Sequence, residues 1–338
     1  MKYESNHSDL PSKVLEELKS ANVFYSAEYE EYIRSTNSLP VYLYNDDFVQ
    51  VASIHTIKGI FCQGSYPTES YCRCKDYDKD KHKAFLDECI VVLKRQYHVD
   101  WIAVPFAGSL FKAYPENSKR IMFGNYVIDL SLDESTLFSS ITSKHRNMIR
   151  RGEKAGITFA FGNIELLDDY LLLDKQTWEK SGVEADHREE FVKYLNALKQ
   201  HAIIGISYFN GEPQCGIFGF YNQSMFYYVF GASSFHPEPG ATHSLQWEMI
   251  KLMKEKRVRY YNFVGCRINE DENSKYHNIQ HFKKGFGGNL VECYLFKSVL
   301  NKNKKKMFDA ACKLTNRTDE LEDVIDQEIA KWEEINNK

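Results

Sequence analysis

Apolar residues along this chain recur with two different spacings, and the switches between them mark its elements. Phe85, Leu86, Cys89, Ile90 and Leu93 fall at helical intervals and predict a helix over residues 81–97. Residues 11–34 also read as one helix, acidic and rich in tyrosine in its second half. Alternating runs at 41–44 and 48–55 flank Asn45, Asp46 and Asp47, which predicts a hairpin. Glycines and a proline over 59–67 suggest a loop, and strands are expected at 100–106 and 126–130.

Ser131 and Glu134 have the spacing of a capping box, predicting a helix that runs to about residue 155 and stops at Gly156. Arg146, Arg150 and Lys154 lie four apart on one face of it, while Leu137, Ile141, Met148 and Ile149 serve an apolar face. A second alternation follows: a strand at 157–161, helices at 166–180 and 188–201, and strands at 203–209 and 214–221 joined by Asn210-Gly211-Glu212-Pro213. A third strand at 225–232 precedes a helix at 242–256 with Leu245, Met249, Leu252 and Met253 at core spacing. Strands at 258–264 and 290–296 come next, separated by a polar connector, and a charged helical tail begins at 301. Three antiparallel strands, a helix and a fourth strand is the order of an acyltransferase-type half barrel, so the expected class is α+β with mixed sheets flanked by helices.

The chain's 338 residues are enough for two domains with separate cores. An apolar content of 43% argues against extensive disorder, and a formal charge of −4 confines any phosphate contact to a local basic patch such as Arg146 and Arg150. Eight irregularly spaced cysteines read as reduced thiols, and Cys72-x-Cys74 lacks the spacing of a zinc site, so no metal is expected. Asn316-Arg317-Thr318 has the form of a glycosylation sequon without meaning in a cytoplasmic chain. No apolar run approaches a membrane span, which leads us to expect a soluble, cytoplasmic protein.

The chemistry concentrates near His281-Phe282-Lys283-Lys284-Gly285-Phe286-Gly287-Gly288. A lysine held among apolar walls stabilises a forming negative charge more strongly than one in water. The segment GASSFHPEPGATHSLQW places one glycine, Gly240, and two prolines before the helix at 242, a poor match to a loop that wraps a pyrophosphate with amides. CoA is therefore not the expected donor. His236 and His243 lie near the expected cleft, and neither is read as the base for an acceptor amine.

Three ordered segments carry a resemblance: SKHRNMIRRGEKAGITF, GASS followed by HSLQWEMIKLMKEKRVRYYNFVGC, and FKKGFGG. Together they resemble the FemABX aminoacyltransferases, which build peptidoglycan cross-bridges. The resemblance implies two GNAT-like domains, here 1–135 and 136–300, with 301–338 packing back on the first. It implies an aminoacyl-tRNA co-substrate and no bound cofactor, with acetyl-CoA or another acyl-CoA as the alternative donor. The acceptor it implies is an amine on a nucleotide- or lipid-linked cell-envelope precursor, of peptidoglycan or surface glycan. Phe282-Lys283 matches the family's Phe-Lys pair, with the lysine steadying charge in the transition state. Lys144, Arg146, Arg150, Gly231, Ser233, His243, Gln246 and Gly265 fall in the matched segments as substrate contacts. Asn262 stands where the family often has an aspartate, and Phe235, His236, Pro237 and Glu238 stand where many members have an arginine. Two other readings are an N-acetyltransferase acting on an amino sugar of a carrier-linked glycan, and a binding module that kept the fold without the chemistry.

Overall fold

Side-chain caps decide where several elements begin. The computed structural model describes residues 1–268, 275–315 and 322–336. After β1 (Lys2–Glu4), the expected helix at 11–34 is divided into α1 (Ser12–Leu18) and α2 (Ala27–Ser35). The Asn22 carboxamide oxygen accepts from the Phe24 amide at 3.2 Å and the Ser26 hydroxyl from the Tyr29 amide at 3.1 Å, so the chain turns there and buries Val23, Phe24 and Tyr25. Strands β2 (Ser38–Tyr44) and β3 (Phe48–Ile57) form the expected hairpin, its turn closed by Asn45 Oδ1 accepting from Asp47 and Phe48. The expected loop at 59–67 instead holds β4 (Phe61–Ser65) and is followed by β5 (Tyr71–Cys72). Helix α3 (Lys79–Gln96) is capped by Asp78, β6 is only Trp101–Ile102, and β7 extends over Lys119–Asp129.

The helix expected over 134–155 is two helices, α4 (Glu134–Ser140) and α5 (Ser143–Ala155). Its N-cap is Asp133, which accepts from the Thr136 amide at 2.9 Å, rather than Ser131. From there the pattern is followed closely: β8 (Thr158–Gly162), α6 (Leu167–Glu179), α7 (Arg188–Leu198), β9 (Ala202–Phe209), β10 (Glu212–Tyr221), β11 (Met225–Ser233) and α8 (Ala241–Glu255). Strand β12 (Tyr260–Asn262) comes next. The polar connector carries a helix, α9 (Lys275–Lys284), before β13 (Asn289–Val299), and the tail divides into α10 (Lys302–Leu314) and α11 (Val324–Asn336). The sequon at 316–318 lies outside the described residues.

The chain divides into two compact units. One comprises residues 1–19, 36–124 and 292–338. Its strands run in the order β1-β2-β3-β4-β6-β13, with β5 on β3. Phe85, Leu86, Cys89 and Leu93 of α3 bury against Val41, Leu43, Phe111 and Phe296, and Phe308 of α10 lies 4.9 Å from the Trp101 ring. The other unit comprises 20–35 and 125–291. Its strands run β7-β12-β11-β10-β9-β8, with the β11–β12 pair parallel and its other neighbours antiparallel. Leu245, Met249 and Met253 of α8 share a core with Ile149 of α5 and Ile217 of β10, while the rings of Tyr170 of α6 and Phe191 of α7 pack at a tilt against Phe218. Both units are α+β with a mixed sheet flanked by helices.

Candidate active site

In the second unit the apolar residues at and just beyond the end of α9 fix where its lysine goes. Phe282 and Phe286, four residues apart, face the core, and Phe286 is 1% exposed. Lys283 is thereby turned toward the segment after β12. Its Nζ donates to the Gly265 carbonyl at 2.6 Å and to the Val264 carbonyl.

Those carbonyls converge because the backbone reverses there: Val264 has φ 54° and Gly265 φ 33°. A β-branched residue at positive φ is strained and persists only where its surroundings over-determine it. Buried Asn262 accepts from the Val264 amide at 2.7 Å, and buried Asn125 accepts from the Gly265 amide at 2.8 Å. Three side chains thus hold one two-residue turn. Among the described residues Lys283 forms no ion pair with a carboxylate. Burial lowers its pKa to about 8, weakly opposed by Cys266, whose thiol burial pushes up to about 11. An ammonium bound to neutral dipoles keeps its charge available for an oxyanion, and near pH 8 it can also lose its proton.

A second group locks the end of α9. The Thr142 amide donates to the Gly285 carbonyl at 2.9 Å. His145 of α5 lies 3.1 Å from the Thr142 hydroxyl through Nδ1 and 3.2 Å from the Phe282 carbonyl through Nε2. Burial lowers the His145 pKa. The neutral ring with its proton on Nε2 satisfies both neighbours, donating to the carbonyl and accepting from the hydroxyl. A Cβ on Gly285 would come within 2.3 Å of this ring, so glycine is needed for close approach. His243 of α8 meets His145 edge-on at 4.6 Å and Phe282 at 5.3 Å, and burial pushes its pKa down to about 4.

Helices α5 and α8 can bring the two imidazoles together because they touch backbone to backbone. Gly240, with φ 105°, leaves no room for a Cβ, which would lie 2.6 Å from the Gly152 nitrogen. The Ser244 hydroxyl donates to the Ile149 carbonyl at 3.1 Å across the same contact.

Of the sequence candidates, Phe282, Lys283, Gly265 and His243 come together. Arg146 does not join them: its guanidinium donates to the carbonyls of Ser139, at 2.9 Å, and Ile141, closing the end of α4. Arg150 lies exposed over the Phe138 ring at 5.6 Å, and Lys144 is exposed. Ser233 joins α6, accepting from Lys180 through its hydroxyl at 3.0 Å, and its amide donates to Thr177. Gly231 packs under the Tyr228 ring edge, and Gln246 is buried against the Tyr261 hydroxyl. Sequence reasoning missed Asn125 and His145. Asn262 carried a signal, since an asparagine where an aspartate is often found removes a negative charge near the turn that Lys283 reaches.

A family model described as an acetyltransferase (GNAT) domain matches residues 139–283 and so ends on Lys283. Lipid II:glycine glycyltransferase of Staphylococcus haemolyticus is 33% identical over 88 residues, which are 25% of this chain and only 20% of that relative. The fold is similar to that of FemX, with a TM-score of 0.67, 14% identity and coverage of 91% of this chain and 99% of that one. It is also similar to L-PGS from Bacillus licheniformis, with a TM-score of 0.53, 12% identity and coverage of 93% and 99%. The chain is therefore FemX-like in fold, and residues 139–283 match the GNAT acetyltransferase domain.

Proposed function

We propose that this chain transfers an aminoacyl group from charged tRNA to an amine on a carrier-linked muropeptide, on the cytoplasmic side of the envelope, with 125–291 as the GNAT-like domain that performs the chemistry. The observation that carries the reading is Lys283, an ammonium gathered by two carbonyls and by no described carboxylate. The glycyltransferase relative supports a lipid-linked acceptor.

In this reading the neutral acceptor amine attacks the ester carbonyl and forms a C–N bond. The Lys283 ammonium turns from the Gly265 carbonyl to the oxyanion of the tetrahedral intermediate. Collapse breaks the ester C–O bond, and the proton lost by the amine ends on the ribose hydroxyl that leaves. No covalent enzyme intermediate is required, because the ester is already activated and positioning supplies most of the acceleration.

The loop before α8 argues against acyl-CoA as donor. Pro237 and Pro239 have no amide hydrogens, and the amides of Glu238 and Ala241 are already bound to Gln214 and to the Glu238 carbonyl. The deciding experiment incubates the purified chain with radiolabelled aminoacyl-tRNA and muropeptide on a lipid or a nucleotide carrier, beside a parallel reaction with acetyl-CoA. Label should pass to the muropeptide from tRNA alone. Transfer from acetyl-CoA alone would make the chain an N-acetyltransferase, and transfer from neither a binding module.

A further inference from the structure

Helix α10 has two differently employed faces. Its inner face holds it to the sheet of the first unit: Phe308 meets Trp101 at 4.9 Å and Phe61 at 5.4 Å, Lys304 reaches Asp100 at 3.1 Å, and Cys312 is 4% exposed. The only acid on the helix, Asp309, is paired with Lys305 on that side. At 100° per residue the outer face carries Lys302, Lys306 and Lys313 along one flank and Met307, Ala310, Ala311 and Leu314 beside them. Met307 is 59% and Leu314 87% exposed. Among the described residues no carboxylate pairs with Lys302, Lys306 or Lys313.

We infer that this outer face of α10 docks the protein on an anionic lipid surface. A solvated helix face would mix both signs of charge and keep large apolar side chains covered. This one is cationic and apolar, the combination that lies in the headgroup layer with lysines reaching the lipid phosphates and short apolar side chains below them. The chain as a whole carries a charge of −4, so the attraction is local to the patch. Since α10 is fixed at Phe308 and Lys304, docking orders no new segment. The inference is independent of the transfer reaction, although a lipid-linked acceptor would give docking a use.

The test is co-sedimentation of the full chain with vesicles of phosphatidylcholine alone and of phosphatidylcholine with phosphatidylglycerol, at low and at high salt. The chain should sediment with the anionic vesicles at low salt and be released by salt. Met307→Asp with Leu314→Asp should lower the bound fraction about tenfold, as should Lys306→Glu with Lys313→Glu. All four positions are exposed, so the variants should unfold at the wild-type temperature. Absence of binding by the wild type, or binding left unchanged by both pairs of substitutions, would overturn the inference. So would equal binding to neutral vesicles, or a soluble protein found covering the same face.

Discussion

Lys297 in one unit and Lys283 in the other are partly buried lysines with hydrogen-bonded ammonium groups, and the two differ in what engages them. Lys297 on β13, 19% exposed, meets Asp323 at 2.6 Å and also Asp326. Burial alone would raise the Asp326 carboxyl, yet the hydrogen bond and charge of Lys297 bring it below its usual value. Among the described residues Lys283 meets only the two carbonyls of a strained turn, and burial lowers its pKa to about 8. Full charges around Lys297 neutralise it and hold α11 in place. Partial charges around Lys283 leave a cation that an incoming anion can still recruit, so in the proposed reading the first lysine is structural and the second is poised for chemistry.

The sharpest way to break this comparison is to remove the second ammonium. Lys283→Met should reduce transfer about 10²- to 10³-fold while the protein stays folded, as loss of one oxyanion donor does elsewhere. Steady-state turnover with charged tRNA measures it, and near-wild-type turnover would reduce Lys283 to a clip on the turn. The pH dependence follows from the direction of the shift. With the ammonium as the acting form, kcat should fall as pH rises through about 8. Stability should move the other way: between about 8 and 10.5 the unfolded chain binds the proton that the folded chain has lost, so this group's contribution to stability rises with pH there and is flat below it.

A smaller effect is expected one layer out. His145→Ala removes the bridge from Thr142 to the Phe282 carbonyl, and turnover should fall about tenfold, with a stability cost of about 1–3 kcal/mol. A purely structural role would leave the pH profile alone. If His145 positions Lys283, the falling limb should move above pH 8, because a loosened α9 end lets water reach the ammonium.

Much of this arrangement was legible from the amino acids, and the remainder has a physical reason for being hidden. Helical and alternating periods located α3, α6, α8 and the β9–β10–β11 meander because each buries one continuous face. The segment around Ile141 and Thr142 misled, since its propensity is helical while its interruption depends on the tertiary contact of Thr142 with Gly285. Phe282 and Lys283 were visible through an ordered motif. The cradle was not: Asn125 reaches Gly265 across 140 residues of sequence, and nothing local to an asparagine announces such a partner. Arg146 shows the reverse failure, for its spacing with Arg150 suggested a shared ligand while its guanidinium serves the end of α4.

Lys297→Met examines the structural side of the comparison. It leaves Asp323 and Asp326 beside each other without their cation, and with both carboxylates partly exposed the loss should be about 1–2 kcal/mol in urea unfolding. Turnover of the folded enzyme should not change. A fall in turnover equal to that of Lys283→Met would erase the distinction between a neutralised and an available ammonium.

The smallest effect concerns Arg146 and Arg150 of α5, which repeat the contrast on the surface. Arg146 is held by two backbone carbonyls that end a helix, so Arg146→Ala should cost about 1 kcal/mol of stability and leave the salt dependence of tRNA binding as it was. Arg150 is exposed, and its guanidinium rests on the face of Phe138, a weak contact that a phosphate can replace. Arg150→Ala should leave stability nearly untouched and weaken charged-tRNA binding about two- to threefold, with the slope of log K against log salt reduced by about 0.7 to 0.9, the change expected for one phosphate contact. Titrations at several salt concentrations separate the two outcomes. An unchanged slope for Arg150→Ala would place the phosphate contacts away from the outer face of α5, since Arg146 is committed to α4 and only Lys144 of the proposed cations there would remain.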